Sequence, residues 1–206
     1  KNYKMLNKVW VNTHYRTYKI FQKVINLAPK KNIKSVEVRG TNWGLMCNSI
    51  HYIDLYSSIL NSKISKIDTR NLEKKWVRSK RRGFFENYGE LKIIFKNKKI
   101  LKLSCKKTNK INKTNTYHII KFKNIGSFKI HEEGGDVFLN HRKKFKFALE
   151  PVSKKMKSFI LDIYNGNNCD LTNIKLSIEQ HIKFVSELVK FWNKHHNKKI
   201  HNIKVT

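Results

Sequence analysis

Cysteine is scarce: Cys47, Cys105 and Cys169 are the only three in 206 residues, far apart and odd in number. No Cys-x-x-Cys pair occurs, which excludes a zinc frame and a disulfide scaffold and points to a reducing, cytoplasmic setting. No apolar run approaches the ~20 residues needed to cross a bilayer, so no membrane partner is indicated. No charged-then-apolar leader opens the chain, so secretion is not indicated either. Signature motifs are missing as well. There is no Gly-x-Gly-x-x-Gly after a strand, no Gly-Lys-Ser/Thr phosphate loop, no Gly-x-Ser-x-Gly elbow and no His-Glu-x-x-His. The chain carries no mononucleotide-binding fingerprint of its own. It opens on Lys1, directly before strand-like sequence, which reads as a piece whose natural start lies upstream.

Acidic residues are the other shortage. Fourteen Asp and Glu face 45 Lys and Arg, a formal charge of +31. Such a field attracts nucleic acid, anionic membrane surface or acidic metabolites. The cations are spread along the chain beside Asn and Ile, as a bias toward A/T-rich codons would leave them. The densest patches, Arg78–Arg82 and Asn140–Lys144, fit solvated turns. A hydrophobic content of 39% with 12% aromatics describes a globular chain able to bury a core.

The organising stretch runs from Val36 to Leu60. Val36 and Val38 alternate with charged residues as on a strand, and Gly40 and Gly44 permit a tight turn around Trp43. Asn48 is the expected N-cap of a helix whose apolar side carries Ile50, Ile53, Leu55, Ile59 and Leu60. Cys47, His51 and Asp54 share one side of that helix at i, i+4 and i+7. A buried, satisfied histidine is the competing reading of His51.

Before this stretch, Lys8–Asn12 reads as a short strand, with Thr13 capping a helical segment that ends near Ala28-Pro29. After it, alternation marks strands at Lys63–Thr69, Leu72–Arg78, Gly83–Phe95 (irregular at Gly89), Ile100–Leu103, Tyr117–Phe122, Ser127–His131 and Asp136–Asn140. Phe145 and Phe147 continue the pattern. Residues 106–116 are the most linker-like. Pro151 as the first helical residue and Asn165-Gly166 as the stop bound one helix, and Leu176–Trp192 forms a long amphipathic one. His181 lies on its apolar side as a structural residue. His195 and His196 point apart, so no metal site is expected. The resulting expectation is an α+β layer: an open, largely antiparallel sheet of about six strands with helices packed on one face.

Specific runs carry a family resemblance. Val11-Asn12-Thr13-His14-Tyr15-Arg16 and Gly40-Thr41-Asn42-Trp43-Gly44-Leu45 are followed by Cys47-Asn48-Ser49-Ile50-His51-Tyr52-Ile53-Asp54-Leu55. Arg82–Gly89, Pro151-Val152-Ser153 and Cys169–Thr172 with Ser177 and His181 follow in order. Together they resemble the part of the Gfo/Idh/MocA oxidoreductases that follows the Rossmann domain, in the branch found with surface-polysaccharide genes. The resemblance spans nearly all 206 residues. It implies one C-terminal unit: a strand-helix crossover over residues 1–30, the sheet with its central helix over 31–150, and closing helices over 151–206.

The resemblance implies the substrate side of a dehydrogenase moving hydride from a hydroxyl-bearing carbon of a sugar or polyol. NAD or NADP would be held mainly by a Rossmann domain upstream or in trans, and the open sheet would build a homo-oligomer interface. His51 would be the acid/base or its close helper. Arg16 and Asn12 would hold substrate, Trp43 would wall the pocket or be core, and Asn48 would both cap and contact substrate. Asp54 would orient. Cys47 stands where the family often has Asp, and no Glu-Lys-Pro occurs, so the chain is expected to be inactive alone. The alternative is a basic nucleic-acid-binding module using the Lys-rich sheet, the Arg78–Arg82 patch and aromatics such as Phe84, Phe85 and Tyr88.

Overall fold

Val36 and Val38 are buried while Glu37 and Arg39 reach outward, so the alternation read from the sequence does place a strand at the centre of the molecule. The computed structural model describes residues 8–108, 115–166 and 169–205. Much of the linker-like stretch therefore lies outside the described residues. In chain order the elements are β1 (Trp10–Val11), a 3₁₀ turn (His14–Thr17), α1 (Lys19–Asn26), β2 (Ile33–Thr41), α2 (Leu45–Leu60), β3 (Ile64–Leu72), β4 (Val77–Arg78), β5 (Phe85–Glu86), β6 (Gly89–Phe95), β7 (Ile100–Lys106), β8 (Asn115–Phe122), β9 (Gly126–His131), β10 (Gly134–Leu139), β11 (Arg142–Ala148), α3 (Val152–Tyr164), β12 (Thr172–Asn173) and α4 (Ile174–His195).

The main sheet has eight strands rather than about six, ordered β11-β10-β9-β8-β2-β7-β6-β3. Among the described residues its only parallel pair is β2 with β7; the other neighbours run antiparallel. The count grows at one edge, where the run through Phe145 and Phe147 is a full hairpin partner of β10. The expected strand Leu72–Arg78 is broken. β3 ends at Leu72, Trp76 turns into the core, and Val77–Arg78 returns only to pair with Phe85–Glu86.

α2 lies against the sheet and is buried almost all round, from Leu45 and Met46 to Ile59 and Leu60. A helix without a wet face has to be covered on every side. Here α4 and the 3₁₀ turn supply that cover together with the sheet. α4 buries Phe184, Leu188 and Phe191 along one stripe, as its spacing predicts. Pro151 precedes α3 as its N-cap rather than serving as its first residue. Among the described residues no helix is long and apolar enough to cross a membrane.

Gly40 is required by the close approach of β2 to β8. A Cβ there would lie 1.9 Å from the Asn115 carbonyl oxygen and 2.8 Å from its carbon, both backbone atoms. Gly40→Ala is expected to cost about 1–3 kcal/mol, the range for overpacking, and to sit at its upper end because a paired strand yields little. Urea midpoints check this. An unmoved midpoint would show that the two strands do not meet in this register.

Candidate functional site

The entry to α2 is set by Gly44, which takes the cap position at φ 76°, a left-handed conformation natural to glycine. Asn48 is therefore not the N-cap. It sits one turn inside the helix, its backbone N–H donates to the Gly44 carbonyl at 2.8 Å, and its side-chain amide donates back to the Trp43 carbonyl. The helix-end amides are satisfied from β5 instead: Met46 N–H donates to Glu86 Oε1 at 2.6 Å. Burial raises the Glu86 carboxyl, and the backbone amides of Met46, Asn87 and Cys47 partly offset this.

One turn and a half further along, α2 presents His51 to the 3₁₀ turn. The His51 ring lies 5.8 Å from His14 and 5.6 Å, nearly edge-on, from Tyr15, centroid to centroid. His51 is half-buried, and its Nδ1 is buried without a hydrogen-bond partner among the described residues. Burial lowers its pKa, and the neighbouring His14 and His181 lower it further against the opposing charges of Asp54 and Glu132. His14 is lowered for the same first reason, burial, with Lys155 adding to it against the Asn12 carbonyl and Glu132. Two adjacent imidazoles are thus biased toward the neutral form, which can accept a proton.

Behind this pair lies a buried network that the sequence reading missed. Glu132 accepts from Tyr15 Oη at 2.5 Å and from Tyr52 Oη at 2.6 Å. The two tyrosine rings stack at 5.3 Å with 4° between their planes. His118, fully buried, places Nε2 3.4 Å from Glu132 Oε2, while its Nδ1 meets Tyr56 Oη at 2.8 Å. Burial alone would raise the Glu132 carboxyl; His118 and the two tyrosine hydroxyls outweigh it and hold the group below the ordinary carboxylate value. Burial, and then Glu132, push the Tyr15 and Tyr52 hydroxyls upward, so both remain proton donors. One signal was visible: His118 occupies an inward position of β8, between Thr116 and Ile120. Nothing local marks Glu132.

The expected substrate residues separate. Arg16 does not present a free guanidinium. It is spent on Thr172 Oγ1 at 2.9 Å, Ser58 Oγ at 3.0 Å and Asp54 Oδ1 at 3.5 Å. Thr13 joins the same cluster, donating to Asp54 Oδ2 at 3.0 Å rather than capping a helix. Asp54, fully buried, is thus the tie between α2 and the 3₁₀ turn. Trp43 is core and no pocket wall. It is 5% exposed, donates from Nε1 to the Ser104 carbonyl, and meets Tyr52 edge-on at 5.1 Å. Asn12 is exposed just ahead of His14. Of the expected site residues, the structure brings Asn12 to the neighbourhood of His51 and ties Arg16, Trp43 and Asn48 into the frame around it.

Other expectations also move. Phe85 packs edge-on against Trp192 at 5.3 Å, and Tyr88 packs on the core, so that group is no open stacking surface. Among the described residues no cluster of His, Cys, Asp or Glu could hold a metal ion, and the three cysteines are free.

The sequence matches no protein-family model and no curated protein. Its fold does match solved structures. A UDP-N-acetylglucosamine 3-dehydrogenase from Acidithiobacillus ferrooxidans aligns over 84% of this chain and 58% of its own, with 9% identity and TM-score 0.58. A dehydrogenase from Clostridium difficile aligns over 88% and 61%, with 10% identity and TM-score 0.58. A myo-inositol dehydrogenase from Lactobacillus casei, in complex with NAD(H) and myo-inositol, aligns over 95% and 62%, with 10% identity and TM-score 0.54. At such identities the likeness is one of fold, and this chain spans roughly six tenths of each of those chains.

Proposed function

We propose that this chain is the substrate-side half of an NAD(P)-dependent sugar or polyol dehydrogenase of the Gfo/Idh/MocA type, completed by a nucleotide-binding half in the same polypeptide or in trans. The observation that carries this reading is His51: a half-buried imidazole, biased neutral, with an unpartnered Nδ1, on a fold shared with dehydrogenases.

The residues present do not make a dinucleotide cradle. Among the described residues the one glycine-bearing strand–turn–helix, Gly40 to Leu45, opens a helix whose N-terminal amides are already taken by the Glu86 carboxylate. A pyrophosphate could not enter there without displacing that anion. The cofactor supplies the hydride acceptor when another domain holds it; this chain supplies the other wall. On this wall His51 takes the hydroxyl proton of the substrate carbon, and His14 and Tyr15 fix where that hydroxyl can sit.

The histidine titrations test the electrostatic half of this reading on the chain alone. His51, resolved by ring-proton NMR, is expected to titrate below the ordinary value of 6.5 and to be neutral at pH 7. The sign for stability follows. Below 6.5 the unfolded chain takes up a proton that folded His51 resists, so this group stabilises the fold less as pH falls. A midpoint at or above 6.5 would contradict the assignment of His51 as a neutral proton acceptor.

A further inference from the structure

Among the described residues nothing covers the sheet face opposite α2 and α4, and its charges are unbalanced. Strand registers place Lys92, Lys102, Glu37, Ile119, Lys129 and Phe138 in one row across it. The acids of this face are matched: Glu37 by Arg39, Asp68 by Arg70, Glu90 by Lys102 and Asp136 by Lys143. Lys66, Lys92, Lys106, Lys121, Lys129 and Lys146 form no ion pair among the described residues. This face therefore carries a positive charge that its own acids do not balance.

The face is also shaped. One concavity of about 410 Å³ is lined by residues including Arg39, Lys121, Lys129 and Phe138. A second, of about 440 Å³, is lined by residues including Tyr117, Lys129, His131 and Phe138. Sharing Lys129 and Phe138, they form one trough over β2, β8, β9 and β10. Phe138 is half-exposed on its floor. Tyr117 carries the Lys129 ammonium over its ring, 4.2 Å from the centroid.

We propose that this trough binds single-stranded nucleic acid, with phosphates on Lys121 and Lys129 and a base stacked on Phe138. A single strand offers regularly spaced anions together with flat π surfaces, which is what unpaired lysines around a partly exposed ring select. A duplex hides its bases from the floor, and a bilayer is too flat to reach it. A second copy laid face to face would set surplus cations against cations. This binding competes for one face with the homo-oligomer interface that the family resemblance implies for the open sheet, whereas the role proposed for His51 does not depend on it.

The test uses the whole chain and a labelled oligothymidylate of about twenty nucleotides, longer than the roughly 4–16 covered by a small sheet domain. Fluorescence anisotropy is recorded across a salt series. The variant Lys121→Glu/Lys129→Glu/Phe138→Ala is expected to weaken binding at least about tenfold. Losing two phosphate contacts should also flatten the log–log salt slope by roughly 1.4. Lys154→Glu/Lys157→Glu, on exposed positions of α3, changes the net charge equally and is expected to stay within about twofold. Phe138→Ala alone guards against misfolding of the triple variant, and is expected to weaken binding while leaving the salt slope unchanged. Equal losses in the patch and control variants would overturn the proposal. So would tighter binding of the matched duplex, competition by phosphatidylserine vesicles, or a sedimentation shift showing that the face holds a second copy.

Discussion

His51→Asn is expected to lower kcat by roughly 10²–10⁴-fold in the polypeptide that carries both halves, with a much smaller change in KM. Asparagine keeps the size and hydrogen-bonding capacity of the side chain but cannot take up a proton near pH 7. The loss should therefore fall on the step in which the substrate hydroxyl is deprotonated and spare binding. The surroundings sharpen this expectation. The wild-type acid limb of the pH–rate profile should lie below 6.5, because burial and the neighbouring imidazoles hold His51 down. His14→Asn removes one of those imidazoles, 5.8 Å away, so it should move the limb upward while retaining most of the rate. That split distinguishes the group that accepts the proton from the group that tunes it. Stopped assays of cofactor reduction over a pH series give both numbers. If His51→Asn keeps turnover within a few-fold, the imidazole does not take the proton and the assignment fails.

The strand, the glycine-flanked turn and the helix of residues 36–60 could be read in advance because their signals are local. A two-residue alternation gives β2, and apolar spacing gives α2. What failed was whatever depended on distant partners. Asn48 has the chemistry of an N-cap, but Gly44 adopts the left-handed conformation four residues earlier, and Glu86, 40 residues away, satisfies the helix amides. Arg16 has the chemistry of an anion clamp, but Thr172, 156 residues away, and Asp54 absorb its donors. Trp43 reads equally as wall or core until Ser104 accepts its indole N–H from the neighbouring strand. The Glu132 network joins positions 117 and 80 residues apart in the sequence. Periodicity places elements; it carries no information about which polar side chains meet between them. The site is therefore half legible, in that the helix bearing His51 is foreseen and its supporting wall is not.

That wall can be tested through Glu132, where the second large effect is expected. Glu132→Ala removes the acceptor of two tyrosine hydroxyls. Each buried polar group left unsatisfied costs roughly 1–3 kcal/mol, so the two together should cost about 2 kcal/mol or more at neutral pH. The cost should depend on pH in a definite direction. Folding holds this carboxyl below its ordinary value of 4.5, mainly because His118 and the tyrosines overcome the penalty of burial. Below 4.5 the unfolded chain binds a proton that the folded chain refuses, so the stabilisation is full above that value and fades as pH falls through the lowered one. Urea midpoints of wild type and Glu132→Ala should converge toward acid pH and separate at pH 7. A difference under about 1 kcal/mol at pH 7 would mean the network stabilises nothing. The consequence reaches the site because Tyr15, stacked on Tyr52 and held by Glu132, sits edge-on to the His51 ring. Once freed, that ring no longer holds its edge-on position against the His51 ring. On the dehydrogenase proposal, Glu132→Ala should also raise KM for the hydroxylated substrate in the polypeptide that carries both halves.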